Sequence, residues 1–516
     1  MLLMGVDCGS TAIKAAIFDE TGIALATASR RVVAICPAPG HVEQDMAQLW
    51  LSAAAAMREA IERCKVPVKQ IGCVGVTAHG DGLYLADRFA APLGNAIQSV
   101  DSRGFEIILD WRAADYLDSA ARLTAQRPYP YAATTLLAWI KRHRPEQYGA
   151  IGHAMFCKDW LRYCLTGVFA TDPTDASTAF TNPHTQTYDP DILKLFDLQE
   201  IEPALAPIRP ICGEIGAVTK EASALTGLAA GTPVSGGLHD VTASAVGLGN
   251  LESGALSVTA GTFSINETLS STLVVDPRWA SRAGLKLGQW MNMAISPASS
   301  NNVEWFLRQA YQPELAQAER LGVSVWSLID KDLTGDGSID DPLFHPFLYG
   351  SPYDEPASAG FFGLRSWHDR AHMLRAVIEG AVFNHRTHAL ALASAFPLRR
   401  AGIAGGGSST PRLAQLFADV LGMPVDIPGA KEVGALGAAI AAGVGIGAFA
   451  TLADGAAKAC RVAARYECNA GRHAAFCERY ERYADLVERL RGFWRANSEG
   501  ATRRPAVNGP IPGPLS

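Results

Sequence analysis

The stretch GVDCGSTAIKAAIFD, residues 5 to 19, places the tightest limit on what this chain can become. Leu2 to Asp7 is a short apolar run ending in a carboxylate, and beyond it Ile13, Ala15 and Ile17 alternate with Lys14, Ala16 and Phe18. Both segments read as strands. Gly9, Ser10 and Thr11 lie between them, so glycine frees the backbone for close approach to a ligand while two hydroxyls and several N–H groups share one turn. A turn of that chemistry can hold a phosphate. Asp7 would repel the phosphate itself but can hold the magnesium ion that accompanies one. The same residues also read as an ordinary hairpin with a polar turn, and the stretch alone leaves both readings open.

The device recurs. GALSVTAGTFSI, residues 254 to 265, is again an apolar strand, a turn at Gly261 and Thr262, and a second strand. A spacing of about 250 residues within 516 implies two halves of one duplicated design rather than a short-period array. That length also exceeds what one core usually supports. The expected division is a first domain over residues 1–248, a second over 249–495 and a flexible tail over 496–516.

With 48% hydrophobic and 19% charged residues the chain can bury sizeable cores. A net charge of -6 without a basic stripe argues against a nucleic-acid partner. The ten cysteines form neither a CxxC pair nor a Cys/His cluster and read as buried thiols of a reducing cytosol. The start MLLMGVDC has no basic leader, so a cytoplasmic location is expected. Residues 433 to 453 carry no charge, long enough for a membrane span. They are mostly Gly and Ala, however, and read as a buried, closely packed helix with the turn after it.

After the first hairpin the pattern predicts a third strand over Ile23 to Ser29 and a long amphipathic helix within residues 41 to 64 that Asp45 caps. A strand over Ile71 to Thr77 leads into the turn His79-Gly80-Asp81-Gly82, and residues 110 to 165 are mainly helical. DLTGDGSID, residues 332 to 340, starts like a calcium loop but lacks the closing Glu, since position 343 is Leu.

Three further places could carry chemistry. In GTPVSGGLHDVTASAVGLG, residues 231 to 249, a strand and a Gly-Gly turn lead to His239 and Asp240 at the start of a small-residue helix. Asp240 reads either as an N-cap or as a general base that takes a proton from a hydroxyl attacking a γ-phosphate. In residues 401 to 428, Gly405, Gly406, Gly407 and Ser408 join a strand to a helix, which lets a flat or charged ligand lie on backbone. The loop is neither GxGxxG nor a Walker motif, which weakens Rossmann and P-loop folds. His79, Asp81, Asp101 and Arg103 offer donors and acceptors suited to a polyhydroxy ligand, or simply turn and ion-pair chemistry.

Together these motifs resemble the FGGY family of carbohydrate kinases over about residues 3 to 490. The strongest match is AGFFGLRSWHDRAHMLRAVIE, residues 359 to 379, which is similar to that family's second signature. The resemblance implies an α/β chain with the actin-like ATPase fold, two RNase H-like domains closing over Mg-ATP and a sugar. It implies Asp240 as the catalytic base. Gly9, Ser10, Thr11, Lys14, Gly261 and Thr262 would then face ATP phosphates, Asp7 would serve Mg2+, and Gly405 to Ser408 would lie against the adenosine. His79, Asp81, Asp101, Arg103, His239 and Asp240 would line the sugar pocket. Two departures stand out: the helix at Ala133 to Trp139 lacks the lysine often present there, and His79 stands where many members carry Gln.

WLRYCLTGV, LGNAIQSVDSR and LFHPFLYGS look like the L-xylulose kinase branch, whereas CKDWLRYCLTGVFATDPTDAS with the GDG turn also looks like erythritol kinases. The expected activity is transfer of a phosphate to the terminal hydroxyl of a small ketose, with a linear polyol of erythritol or glycerol type as the alternative. A homodimer is common in the family. A non-catalytic sugar sensor would lose the base or gain a DNA-binding segment, and an actin-like protein mover would have no use for the polar pocket.

Overall fold

In the computed structural model, which describes residues 1–334, 339–353, 355–406 and 410–501, the chain forms two compact units. The first comprises Met1–Ser253, Leu269–Asn292 and Pro428–Val462; the second comprises Gly254–Thr268, Met293–Ile427 and the segment from Ala463 on. Two segments from the later part of the sequence thus pack with the first unit. Residues 335–338 of the calcium-loop-like stretch lie outside the described residues. The last helix, Ala470–Ala501, continues through the position where a tail was expected.

The strands that position the candidate residues are β1 (Leu2–Cys8), β2 (Ala12–Asp19), β3 (Ala24–Arg31), β4 (Ile71–Ala78), β5 (Glu214–Ala217), β6 (Pro233–Ser235), β7 (Leu238–His239), β8 (Ala255–Ala260), β9 (Ser264–Ser270), β10 (Ala280–Ala283), β11 (Arg400–Gly405) and β12 (Val425–Pro428). The helices are α1 (Met46–Cys64), α2 (Cys157–Thr166), α3 (Asp240–Gly247), α4 (Arg370–Ala393), α5 (Pro411–Leu421) and α6 (Val433–Gly445).

In the first unit, β1, β2 and β3 form an antiparallel meander, with Asp7 opposite Lys14. β4 joins β1 in parallel, Asp7 beside Thr77, and the sheet runs β3-β2-β1-β4-β6-β5 with β7 on the end of β4. β2 buries Ile13, Ala15 and Ile17 on one face, and Ala16 and Phe18 on the other as well, because the sheet is covered on both sides. Asp45 caps α1 as its spacing implied, accepting from the Gln48 N–H at 2.8 Å. The burial of Leu49, Ala53, Ala56, Met57 and Ala60 fixes the inner face of that helix.

The uncharged tract is α6, and its composition has a steric cause. A Cβ on Gly5 would sit 1.9 Å from the Ala435 carbonyl oxygen, one on Gly75 2.0 Å from that of Ala438, and one on Gly437 1.8 Å from that of Ala243. Helix backbone lies directly on β1, β4 and α3, so larger side chains have no room. Among the described residues no helix is long and apolar enough to cross a membrane.

The second unit repeats the opening device. β8 and β9 form an antiparallel hairpin, β11 pairs with β8 in parallel, and β12 follows β11. The signature stretch at residues 359 to 379 resolves into a short strand, Gly360–Phe362, and the start of α4, where Asp369 accepts from the N–H groups of Ala371 and His372. All ten cysteines are free, but the expectation of uniform burial fails: Cys36, in the proline-rich loop, is exposed, and only Cys8, Cys73 and Cys157 are fully buried.

Candidate active site

Asp240 stands at the first turn of α3, one place inside the cap position, which His239 occupies. The N-cap reading is therefore corrected by one residue: β7 ends in His239, and the strand-to-helix break turns the Asp240 carboxylate outward with 30% of its side chain accessible. Its Oδ1 accepts from the Val241 N–H at 2.8 Å and lies 3.2 Å from His239 Nε2. Burial, with help from the Arg282 and Lys158 cations, holds His239 well below the usual histidine range. That shift favours the neutral ring. Burial, reinforced by the Asp7 charge, pushes Asp240 up to about 7.

The turn is held from below. The His239 N–H donates to Thr174 Oγ1 at 2.9 Å, and the Thr174 hydroxyl bonds Asp172. Asp172 and Asp175 share the buried ammonium of Lys158, and Arg162 pairs with Asp159. Asp159, Asp172 and Asp175 are the one group among the described residues close enough together to hold a metal ion. Lys158 and Arg162 already neutralise much of their charge, so the cluster is a buried ion network supporting the His239 turn.

Gly80 is the next part of the wall. A Cβ there would lie 2.1 Å from His239 Nε2, so the glycine makes room for the imidazole. Asp81 follows with φ of +57°, a left-handed backbone that aspartate tolerates better than most residues, and only 6% of it is exposed. Both its oxygens meet Arg282 NH2, at 3.3 and 3.0 Å. Burial pushes the Asp81 carboxyl up, against the opposing pull of Arg282. His79, 5% exposed, is 3.3 Å from the Tyr84 hydroxyl through Nε2. Burial works against its charge, but the neighbouring Cys157 and Asp240 raise it overall.

At the end of β1, burial pushes Asp7 up to about 6, with Lys14 drawing it down and Glu432 adding repulsion. Lys14 Nζ meets Glu432 Oε2 at 2.8 Å. A Cβ on Gly434 would lie 2.6 Å from Asp7 Oδ2, so the approach to that carboxylate is kept clear of side chains. The Gly9 N–H closes the hairpin tip on the Ala12 carbonyl at 3.0 Å, leaving Ser10 half-buried and Thr11 exposed. In the second unit the Gly261 carbonyl accepts from the Ser300 N–H and hydroxyl at 3.0 and 2.6 Å, with Thr262 half-buried beside it. Gly405, at φ of +83°, and Gly406 run along the end of β8, where Cβ atoms would meet the Ala260 oxygen at 3.0 and 3.2 Å. Parallel pairing of Ala260 with Gly405 thus sets that link beside the Gly261 turn. Gly407 and Ser408 lie outside the described residues.

Among the described residues, Asp101 and Arg103 share no hydrogen bond or ion pair with this group. Arg103 pairs with Asp101 and Glu43 at 2.9 Å each, and Asp101 also accepts from the Arg103 and Val42 N–H groups. Sequence reasoning missed Arg282, Lys158, Thr174 and Gly434. Arg282 lies about 200 residues from its partner Asp81 and has no local motif. A cavity of about 610 Å³ in the second unit, lined by Arg375, Thr410, Pro411, Arg412 and Phe476, includes none of the candidate residues.

Models of the N-terminal and C-terminal domains of the FGGY family of carbohydrate kinases match residues 2–247 and 256–446. The chain belongs to that family. It is a carbohydrate kinase, an ATP-dependent phosphotransferase with the actin-like ATPase fold. It is 33% identical over 497 residues to the L-xylulose/3-keto-L-gulonate kinase of Escherichia coli (strain K12), covering 95% of this chain and 97% of the relative. It is 32% identical to the probable L-xylulose kinase of Pasteurella multocida (strain Pm70), covering 95% and 99%. The crystal structure of a xylulose kinase from Rhodospirillum rubrum superposes with a TM-score of 0.85 at 27% identity, covering 96% of this chain and all of that one, 100%.

Proposed function

We propose that this FGGY kinase transfers the γ-phosphate of ATP to the terminal hydroxyl of a small ketose, L-xylulose or a related pentulose. The observation that carries this reading is the 33% identity, over nearly the whole of both chains, to a kinase named for L-xylulose and 3-keto-L-gulonate. Asp240 is the general base: it is partly accessible, held by the Val241 N–H beside the His239 ring, and poised near neutrality by desolvation and the Asp7 charge. It draws the proton from the substrate hydroxyl as that oxygen attacks phosphorus.

The residues fit a magnesium-bound nucleotide. Burial and Glu432 raise the proton affinity of Asp7, and burial and the Asp7 charge raise that of Asp240, a strain that a divalent cation relieves, and Gly434 keeps the Asp7 oxygen unobstructed. Bound Mg2+ would supply positive charge to the phosphates. Gly9, Ser10 and Thr11 in the first unit, and Gly261 and Thr262 in the second, offer backbone and hydroxyl donors to phosphate oxygens, and Gly405 and Gly406 offer the adenosine a surface without side chains. Lys14, tied to Glu432, sets the charge around Asp7. His79, Asp81 and His239 face the sugar.

The test is ADP release with Mg-ATP against L-xylulose, D-xylulose, L- and D-ribulose, 3-keto-L-gulonate, erythritol, glycerol and no sugar. One ketose should stimulate release far above the others. A polyol in that place moves the assignment to the erythritol or glycerol class, and no stimulation by any sugar overturns it.

A further inference from the structure

The acceptor wall of the first unit is a contiguous strip. It runs from the Asp240 carboxylate to the His239 ring at 3.2 Å, across Gly80, on which that ring rests, to Asp81, and from Asp81 to the Arg282 guanidinium at 3.0 Å. Arg282 is a buried cation, 3% exposed, and its position is fixed from both sides. Next to it on β10, the Ser281 N–H donates to the Ala125 carbonyl and the Ala283 N–H to Ser177 Oγ, both at 3.0 Å. Its Nε donates to Gln126 Oε1 at 3.0 Å, and Gln126 in turn donates to the Ser177 carbonyl at 2.6 Å. The rings of Tyr129 and Tyr131, stacked 5.3 Å apart, complete this end, and the Gly82 N–H bonds the Tyr131 carbonyl at 2.9 Å.

Nε and NH2, with three of the five guanidinium protons, are committed to Gln126 and Asp81, yet NH1 is buried and has no hydrogen-bond partner among the described residues. A buried donor left unused costs stability, and it is the kind of group a substrate oxygen satisfies. Charge decides which oxygen. Arg282 is balanced by Asp81, and the other anion of the strip is Asp240, with Asp7 near it at the end of β1. A carboxylated substrate would set a second carboxylate against Asp81, whereas an uncharged ketose can accept from NH1 with a carbonyl or hydroxyl and donate a neighbouring hydroxyl to Asp81.

We propose that Arg282 is the specificity-determining residue at the end of the acceptor strip remote from Asp240, and that with Asp81 it selects an uncharged keto-polyol over a keto-acid. This rests on the ketose-kinase reading above. It separates the two acceptors that the 33% identical relative's name joins, L-xylulose and 3-keto-L-gulonate.

The test uses the full-length chain with Mg-ATP and compares wild type, Arg282→Met and Arg282→Lys over concentration series of L-xylulose, L-ribulose and 3-keto-L-gulonate, with thermal melts showing that each variant is folded. Wild type should have a higher kcat/KM for a neutral ketose than for the acid. Arg282→Met should raise KM for that ketose about ten- to hundredfold while kcat stays within about threefold. Arg282→Lys keeps a cation beside Asp81 but loses the fork, and its KM should fall between the two, so the Lys variant carries the test should the Met variant fail to fold. A folded variant with the wild-type KM overturns the proposal, as does a wild-type preference for the acid that Arg282→Met abolishes. Wild type that no sugar stimulates overturns the ketose-kinase reading itself, which a failure confined to the Arg282 variants leaves standing.

Discussion

As the proposed general base, Asp240 would serve two ends that oppose each other. Burial beside Asp7 makes it a better base near neutrality, and the same burial makes its charge costly to the fold. The sign follows from its proton affinity, which is higher folded, at about 7, than the ordinary 3.8 of an unfolded chain. The folded state binds the proton more tightly, so the stability cost of this carboxylate begins above the unfolded value, grows with pH and is complete once pH exceeds about 7. Asp240→Asn should therefore lower kcat about 10³-fold and leave the melting temperature at pH 8 equal or higher. In wild type, kcat/KM should rise with pH through about 7 as the free enzyme sheds this proton, a profile the Asn variant should lose. A lower melting temperature with activity retained would mean a structural residue. Asp240, His239 and the two hairpin tips were legible because glycine and hydroxyl patterns mark them locally. Arg282 and Thr174 were not, since each acts through a partner distant in sequence, Asp81 and the His239 N–H.

Among the elements, α6 has the least freedom. Ala at position 437 would drive a methyl into the Ala243 carbonyl, 1.8 Å away, with backbone on both sides. Gly437→Ala should destabilise the protein by at least about 3 kcal/mol in denaturant unfolding, whereas the exposed Gly447 marks a turn whose substitution would act through backbone strain instead. The Gly/Ala composition announced close packing but not its partners, because a tract with so little contrast between faces carries no direction. The opposite case is α4, whose start lies in the signature stretch at residues 359 to 379 while its polar inner face was hidden. There His385 Nδ1 donates to Asn266 Oδ1 and its Nε2 accepts from the Ser299 hydroxyl, at 3.0 Å each, and His388 meets Ser296 at 2.9 Å. Burial holds these histidines down, at about 3 and about 4. Their folded values lie below the ordinary 6.5, so the stability they contribute is full above that pH and is lost as pH falls toward 4 and then 3. The melting temperature of His388→Gln should fall less steeply than that of wild type between pH 6.5 and 4.

At the scale of the molecule, the first unit is not a continuous piece of chain. Leu269–Asn292 brings Arg282 to the acceptor strip, and Pro428–Val462 brings α6 to the back of β1 and β4. A fragment ending at Ser253 should fail to fold by circular dichroism and cooperative melting, even though it holds all of β1 to β7 and the Asp240 turn. A cooperative, native-like melt of that fragment would show that α6 is dispensable. The duplicated hairpins announced two halves, but the crossing back of two later segments has no signature in composition or periodicity. The return of α6 also sets a clock on biosynthesis. Gly75 leaves the ribosome more than 350 residues before the Ala438 backbone that covers it. At about 5–20 residues per second the nascent sheet waits roughly 20 to 70 s with that face bare. For that interval a strand surface meant for helix backbone is open to any extended chain nearby, until the last sixth of the message is read.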